Sequence, residues 1–417
     1  MTIDSGWVKI LKTNAKRAFT EHLPVVPGTV FVDGQIKLMK GEHVKTWARF
    51  IEQQFFHTLD KCFQLGAHTV VLGFDNYQHV PRAKNMTQRK RSQHVPDFKF
   101  SDHDELPTIL PDYWDAAMRN RSFKVKVMAM VCEQVRTQYR LKAHQTLILD
   151  FTDQIEVLGQ SRPLPAVLNT EAPLKRGECD IKAFAFMGTD PLLISSTDGD
   201  YVPLSLLQIE NALLANQPAP RIILFRIRTR GQGEEVSSKR KQSREMEYVD
   251  MNLIYKFVQQ DLKVERPALC IAAMIACTGC DFTMNLPQLG PSRIWMHRHA
   301  LKGAFESDRI SPEGVMGLLI RAYTELFLNK VRVERCRARL SVGDAVVRYA
   351  ELSGALKSSC VISNRIRDML WDVNRALAHA KNTEWTVLYW KDLHDHPDPL
   401  TGDYGFEIRK GVVNFGV

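Results

Sequence analysis

The sequence predicts an α/β protein built on a parallel sheet, and three observations predict it. Short apolar runs recur and end in aspartate: Thr29-Val-Phe-Val-Asp33, Thr69-Val-Val-Leu-Gly-Phe-Asp75 and Leu192-Leu-Ile-Ser-Ser-Thr-Asp198-Gly-Asp200. Such runs, broken at once by a turn, read as strands buried on both faces. Between the first two, Val44, Trp47, Ala48, Ile51, Phe55, Leu59 and Cys62 recur at helical spacing, with Gly66 as a stop. That is a β-α-β unit, which favours a right-handed parallel crossover. The third observation is where the acids stand. Ligand chemistry in open α/β sheets gathers at the carboxyl ends of the strands, so three parallel strands would bring these carboxylates to one edge. Carboxylates that close repel one another unless they hold a hard divalent cation.

Composition sets the frame. A chain of 417 residues has room for two or three domains at roughly 150 residues each. The net charge of +9 permits a polyanionic partner without requiring one. The eight cysteines lack the spacing of a disulfide framework. The start, Met1-Thr-Ile-Asp-Ser-Gly-Trp-Val, has no apolar signal core, and the longest apolar stretch, around Ala268 to Ala276, is too short to span a bilayer. The expectation is a reduced, intracellular, soluble protein with no membrane partner.

In chain order, residues 1–25 read as helical and basic, with Lys9, Lys12, Lys16 and Arg17 among apolar positions. Strand 29–33, a helix and strand 69–74 follow. Residues 76–120 are polar, punctuated by proline and rich in both charge signs, as in an insertion standing off the sheet. A helix at 121–139 and a strand at Thr146-Leu-Ile-Leu-Asp150 return the chain to the core. A Pro-containing connection over 153–175 leads to Gly177-Glu178-Cys179-Asp180. Beyond Asp200 come a helix through Leu213, a strand at 221–225, and helices at 248–260 and 267–279. From about 310 the chain reads as helical, and its last thirty or so residues as short strands or loops. No internal repeat is present.

Seven acids stand out: Asp33, Asp75, Glu178, Asp180, Asp198, Asp200 and Asp281. Cleaving a phosphodiester needs an activated water and charge relief for the leaving oxygen, which two metals about 4 Å apart supply together. Mg²⁺ takes oxygen ligands and keeps several waters, so a ring of carboxylates suits it. Any one of these aspartates alone reads as a helix cap or turn. Seven in one strand grammar point to a metal site.

Over residues 1–305 the order of short motifs resembles the flap endonuclease family of structure-specific 5′-nucleases, with a PIN-like core. Phe31-Val-Asp33-Gly and Phe74-Asp75-Asn resemble its first two metal-ligand strands. Gly177-Glu178-Cys-Asp180 resembles its paired-acid helix start, although the family usually has Glu at the second acid. Ser196-Thr-Asp198-Gly-Asp200 resembles the third acid pair. Thr278-Gly-Cys-Asp281-Phe, followed by Leu286-Pro-Gln-Leu-Gly290-Pro291, resembles the last ligand and a helix-hairpin-helix over 278–300. Gln288 stands where that hairpin usually carries glycine. Such a hairpin offers backbone N–H groups and helix N-termini to phosphates, which makes Gly290, Pro291, Ser292 and Arg293 the nucleic-acid-binding residues here, and its carbonyls can coordinate K⁺.

The insertion resembles the family's helical arch. Lys84 and Arg91 match the spacing of its two basic catalytic residues, with Arg82 and Arg89 as competitors and a solvated basic face as the plain alternative. The resemblance implies two Mg²⁺ ions, replaceable by Mn²⁺, acting on flapped, nicked or branched DNA during replication, repair or recombination. It also implies a place in the nucleus or at a site of viral DNA replication. RNA cleavage by the same machinery is the alternative, and a non-catalytic junction-binding protein a further one. Residues 306–417 form a C-terminal helical region outside the resemblance. Asp150 reads as a turn residue. Cys277-Thr-Gly-Cys280 has no second pair to complete a zinc site, and Lys239-Arg-Lys241 reads as a solvated loop.

Overall fold

Strand-forming runs here are rich in β-branched residues, and the computed structural model places them at the centre of the molecule. It describes residues 6–39, 41, 44–79, 98–151, 155–159, 177–229, 244–280, 282–283, 286, 288–303, 305–306, 309–327, 342–358, 372–392, 403–409 and 412–415. The strands of the main sheet are β1 (Phe19–Thr20), β2 (Thr29–Asp33), β3 (Thr69–Gly73), β4 (Thr146–Asp150), β5 (Ile155–Leu158), β6 (Leu192–Ser195), β7 (Ile222–Thr229) and β8 (Arg244–Asp250). They run in the order β1-β8-β7-β6-β2-β3-β4-β5. The five inner strands β7, β6, β2, β3 and β4 are parallel; β5 on one side and β8 on the other pair antiparallel. This is the expected α/β class, with a mixed rather than purely parallel sheet.

Alternation along the strands divides the core into two layers. Val30, Val32, Val70, Leu72, Leu147 and Leu149 face one side with Phe50, Phe55, Trp114, Phe123 and Val131. Phe31, Val71, Ile148, Ile194, Ile222 and Leu224 face the other with Leu204, Leu207, Ile254, Ile271 and Trp385. Both faces are therefore covered, which is why the strand sequences read as continuous apolar runs.

The chain leaves β2, steps outward to β3 and β4, then returns to lay β6 against the free side of β2 and steps outward the other way to β7. The helices of the first excursion (Trp47–Ile51, His57–Gln64, Arg121–Gln138) pack on one face; the helix joining β6 to β7 (Tyr201–Leu214) packs on the other. Right-handed crossovers in opposite directions require that division. It opens a crevice between the carboxyl ends of β2 and β6, where the order reverses.

Three details correct or refine the sequence reading. The helix expected over 44–63 is present but changes winding, with a wider π-type turn over Glu52–Phe56 before His57–Gln64, and Gly66 at φ +92° ends it as expected. The end of the expected insertion, by contrast, lies in the core. Leu110, Trp114, Ala117 and Met118 are buried, and the Trp114 indole N–H donates to the Leu38 carbonyl at 2.8 Å. An aromatic group of Trp47, Phe50, Trp114 and Phe123 holds that segment down. Residues 244–250, partly read as helix, form β8, and the helix starts only at Met251, capped by Asp250.

Toward the C-terminus, helices Pro312–Phe327, Val342–Ser358 and Val373–Lys391 bury Val315, Leu319, Tyr349, Trp385 and Tyr389 in the same core layer as the sheet's second face. Phe406–Arg409 and Val412–Phe415 pair as a hairpin, as the sequence suggested for the tail. No described helix is long and apolar enough to cross a membrane.

Candidate metal centre

Strand register lines up the carboxyl edge. Asp33 is opposite Gly73, and Gly73 opposite Asp150; on the other side Val32 is opposite Ser195, so Ser196 lies beside Asp33. Asp33 ends β2 and caps the short helix Gly34–Leu38, its Oδ1 accepting from the Ile36 amide at 3.3 Å. Gly34 is what permits the tight start of that helix. A Cβ there would stand 2.4 Å from the Phe74 ring and 2.7 Å from the Gly73 carbonyl oxygen. The same Asp33 accepts at Oδ2 from the Ser196 hydroxyl at 2.9 Å, with the Tyr201 hydroxyl further off at 3.4 Å.

The other acids arrive from three directions. Asp75 follows β3, and its Oδ1 accepts from the Cys179 amide at 2.9 Å; the Asn76 amide donates to the Gly177 carbonyl at 2.6 Å. These two bonds seat the segment Gly177–Asp180 against the end of β3. Glu178 stands at the cap position of the helical turn Cys179–Lys182 and is 1% exposed; Asp180 lies within that turn and is buried. From β6, Asp198 accepts the Asp200 amide at its Oδ1 and donates its own amide to Ser196 Oγ at 3.0 Å, while Asp200 stands at the cap position of the helix Tyr201–Leu214. Ser196 thus ties Asp33 to Asp198.

The acids are coupled electrostatically by repulsion. Burial pushes the Asp33 carboxyl up to about 7, the charges of Asp198 and Asp75 push the same way, and the Ser196 and Ile36 bonds oppose them. Burial first, then the charges of Asp33, Asp75 and Asp180 among others, hold the Cys179 thiol well above its usual range. The Tyr201 hydroxyl is raised well above its range by burial and by Asp33, Cys179, Asp180 and Asp198. Like charges that feel one another this strongly would favour a cation between them.

Of the seven acids the sequence singled out, the structure brings Asp33, Asp75, Glu178, Asp180, Asp198 and Asp200 to the one edge. Asp281, Lys84 and Arg91 lie outside the described residues. The donor set is all hard oxygen, which fits Mg²⁺ or Mn²⁺ rather than a thiophilic metal. As the side chains stand, several carboxylates turn to backbone amides and hydroxyls. Among the described residues no three His, Cys, Asp or Glu side chains form a group able to hold one ion.

Asp150, read from sequence as a turn residue, is instead one half of a buried ion pair. It is 1% exposed, and the Lys182 ammonium, 0% exposed, donates to its Oδ1 at 2.6 Å. Lys182 closes the helical turn that carries Glu178 and Asp180, so this pair fastens the acid-bearing turn to β4. Sequence reasoning missed Lys182, Ser196 and Tyr201. The available signal was their place, one or two residues from an acid already singled out.

The segment expected to form a helix-hairpin-helix is partly described. Helix Pro267–Thr278 ends at Gly279 (φ +113°), Gln288 adopts φ +61°, and Gly290 precedes the short helix Pro291–Met296. The left-handed turn that glycine favours is therefore present at Gln288, at a cost of about 1 kcal/mol for a residue with a Cβ. Ser292 and Arg293 are exposed, and Pro291 packs against Gly6 of the N-terminal helix. Trp7 of that helix donates to the Thr278 hydroxyl at 2.7 Å and meets Trp295 edge-on. No protein-family model and no curated protein matches the chain.

Proposed function

We propose that the chain is a divalent-metal-dependent nuclease of the flap endonuclease type, cutting phosphodiester bonds in flapped, nicked or branched DNA. The observation that carries this reading is the set of carboxylates at the β2/β6 switch point, where Asp33 is held near neutrality by burial and by the charges of Asp198 and Asp75. Asp33, Asp75, Glu178, Asp180, Asp198 and Asp200, with Asp281, would hold Mg²⁺ or Mn²⁺. Bound there, the metal would supply an activated water and charge relief at the leaving oxygen. The chain's own part is to orient these acids. Ser196 locks Asp33 to Asp198, the Cys179 amide fixes Asp75, and Lys182–Asp150 anchors the turn bearing Glu178 and Asp180. Lys84 and Arg91, from the family resemblance, would stabilise charge on the scissile phosphate. Gly290, Pro291, Ser292 and Arg293 would contact duplex phosphates without reading bases, with K⁺ at the hairpin.

A second reading, a non-catalytic junction-binding protein, is favoured by the turning of the described carboxylates toward amides and hydroxyls with no three grouped for one ion. One assay separates the two. Purified protein is given labelled 5′-flap DNA, nicked duplex and single-stranded RNA, with and without Mg²⁺. Cleavage of flap DNA only with Mg²⁺ is expected, falling at least 100-fold in Asp198→Ala while binding in Ca²⁺ persists. Metal-independent cutting at full rate would remove the metal reading, and binding without cleavage in any metal would leave the second. Preference for RNA would reassign the substrate.

A further inference from the structure

The N-terminal helix Gly6–Asn14 and the turn Lys16–Ala18 after it are basic on one side only. Trp7, Val8, Leu11 and Ala18 are buried, whereas Lys9, Thr13, Lys16 and Arg17 are exposed. No acid stands between Gly6 and Thr20. We propose that this exposed face is a track for the phosphate backbone of a nucleic-acid duplex, continuing from the expected helix-hairpin-helix toward the acids. That the occupant is a duplex rests on the nuclease reading; the basic face does not.

Three features carry it. First, the charge is of one sign and turned outward. An ordinary solvated surface intersperses both signs, and Glu21 is the first acid after this stretch. From Lys9 to Arg17 the face runs about 12 Å at helical rise. A duplex carries one negative charge per about 1.7 Å of its axis, so that span meets several phosphates. Second, the helix is fastened to the segment expected to grip duplex. The Trp7 indole N–H donates to the Thr278 hydroxyl at 2.7 Å, and the Trp7 ring meets Trp295 edge-on. A Cβ on Gly6 would stand 3.1 Å from the Pro291 ring. Lys9 is one turn on from Gly6, so the basic face starts beside the exposed Ser292 and Arg293. Third, the helix is held at the level of the acids. Lys12 pairs with Glu247, which lies opposite Arg226, one residue beyond the row of Ser195 and Phe225. That is the row of Ser196 and Asp33, and β8 is three strand spacings, about 14 Å, from β2. Lys12 is engaged in this pair, so the track is counted on Lys9, Lys16 and Arg17. A backbone running from Arg293 to the acids passes that face. The apolar side of the helix is already packed in the core, which leaves nothing to insert into lipid and favours a polyelectrolyte over a membrane surface.

The test uses the full chain and two variants, each checked by circular dichroism: Lys9→Ala/Lys16→Ala/Arg17→Ala, and the charge-preserving Lys9→Arg/Lys16→Arg/Arg17→Lys. Affinity for a nicked duplex of mixed sequence is measured in Ca²⁺ by fluorescence anisotropy across a salt series. Each phosphate contact contributes about 0.9 to the slope of log affinity against log salt. The slope should therefore fall by about 2 to 3 in the alanine variant, and affinity by at least tenfold near 0.1 M salt, equally for unrelated sequences. The charge-preserving variant should stay within about twofold of wild type. If the alanine variant does not fold, Lys9→Ala and Arg17→Ala alone should each lower the slope by about 1. An unchanged slope in the folded alanine variants, or no binding of duplex by wild type, would overturn the track. The same loss on single-stranded DNA would overturn the duplex assignment, and a loss seen on anionic vesicles but not on duplex would give the face to a membrane. The expected slopes with no cleavage in Mg²⁺ would uphold the track and sink the nuclease reading; cleavage with unchanged slopes would do the reverse.

Discussion

Asp33 and Asp150 occupy equivalent places and differ in everything that follows. Each ends a parallel strand in the same row of the sheet, separated by β3, and each is almost wholly buried, at 4% and 1% exposure. Asp150 has a lysine ammonium at 2.6 Å. Asp33 has hydroxyls, one amide and the charges of two more aspartates. A buried acid with its own cation is a fastener. A buried acid left among acids is costly to the fold unless something else brings positive charge, which is the signature of a site. The difference therefore separates the anchoring of the edge from its chemistry, though both residues look alike in sequence.

The largest expected effect breaks the fastener. Lys182→Met leaves the Asp150 carboxylate buried without its ammonium, and breaking such a pair costs about 3–5 kcal/mol. Urea unfolding should show it, and Asp150→Asn in the same chain should restore most of the loss. A cost under about 1 kcal/mol would mean that Lys182 is not what neutralises Asp150, and the comparison would fail.

The next effect comes from the other aspartate and depends on pH. The folded-state pKa of Asp33, about 7, lies above the 3.8 of an ordinary aspartate. Between those values the folded protein holds a proton that the unfolded chain has released. Stability contributed by Asp33 is thus full below about pH 4 and is lost as pH rises through 7, by on the order of 4 kcal/mol. Without metal, the wild type minus Asp33→Asn stability difference should fall across that window and flatten above it. Mg²⁺ should return stability at pH 8 to the wild type and much less to Asp33→Asn. A difference independent of pH would show that Asp33 is charged throughout.

Much of this edge is legible in the sequence because of how the strands are buried. Thr29–Asp33, Thr69–Gly73, Thr146–Asp150 and Leu192–Ser195 are covered on both faces, so each appears as an unbroken apolar run with a conspicuous acid after it. β8 hides for the opposite reason. Its buried Glu247 is met there by Arg226 and the distant Lys12, and no local pattern announces that. The Lys182–Asp150 pair is likewise made across 32 residues. Trp114 was obscured by its neighbours: a polar, proline-punctuated stretch averages out one buried helix held by aromatic rings from elsewhere. The acids of the site could be read one by one, whereas the groups that position them could not.

Ser196→Ala sharpens the account of Asp33 at a smaller scale. It removes the 2.9 Å donor to Oδ2 and the acceptor for the Asp198 amide. A hydrogen bond to a charged group contributes about 1.5–3 kcal/mol, so the loss should be near that range above pH 7, where Asp33 is ionised, and smaller at pH 5. The window in which stability declines should also move to higher pH, since this bond opposes the rise in the Asp33 pKa.

The smallest effect belongs to Tyr201→Phe. Its hydroxyl is 3.4 Å from the same Asp33 Oδ2, at the far end of hydrogen-bond range, whereas Ser196 is at 2.9 Å. Phenylalanine keeps the ring, so the core contacts with Phe184 remain and only the long donor is removed. Because burial and the surrounding acids keep the tyrosine protonated well beyond its usual range, it remains a donor at every working pH. A bond that long should contribute about 0.5 kcal/mol or less, and only where Asp33 is charged. Urea unfolding at pH 5 and pH 8 reads both conditions. A loss at pH 8 matching that of Ser196→Ala would mean that the two hydroxyls share the charge equally, and that Ser196 is not the residue that fixes Asp33 against Asp198.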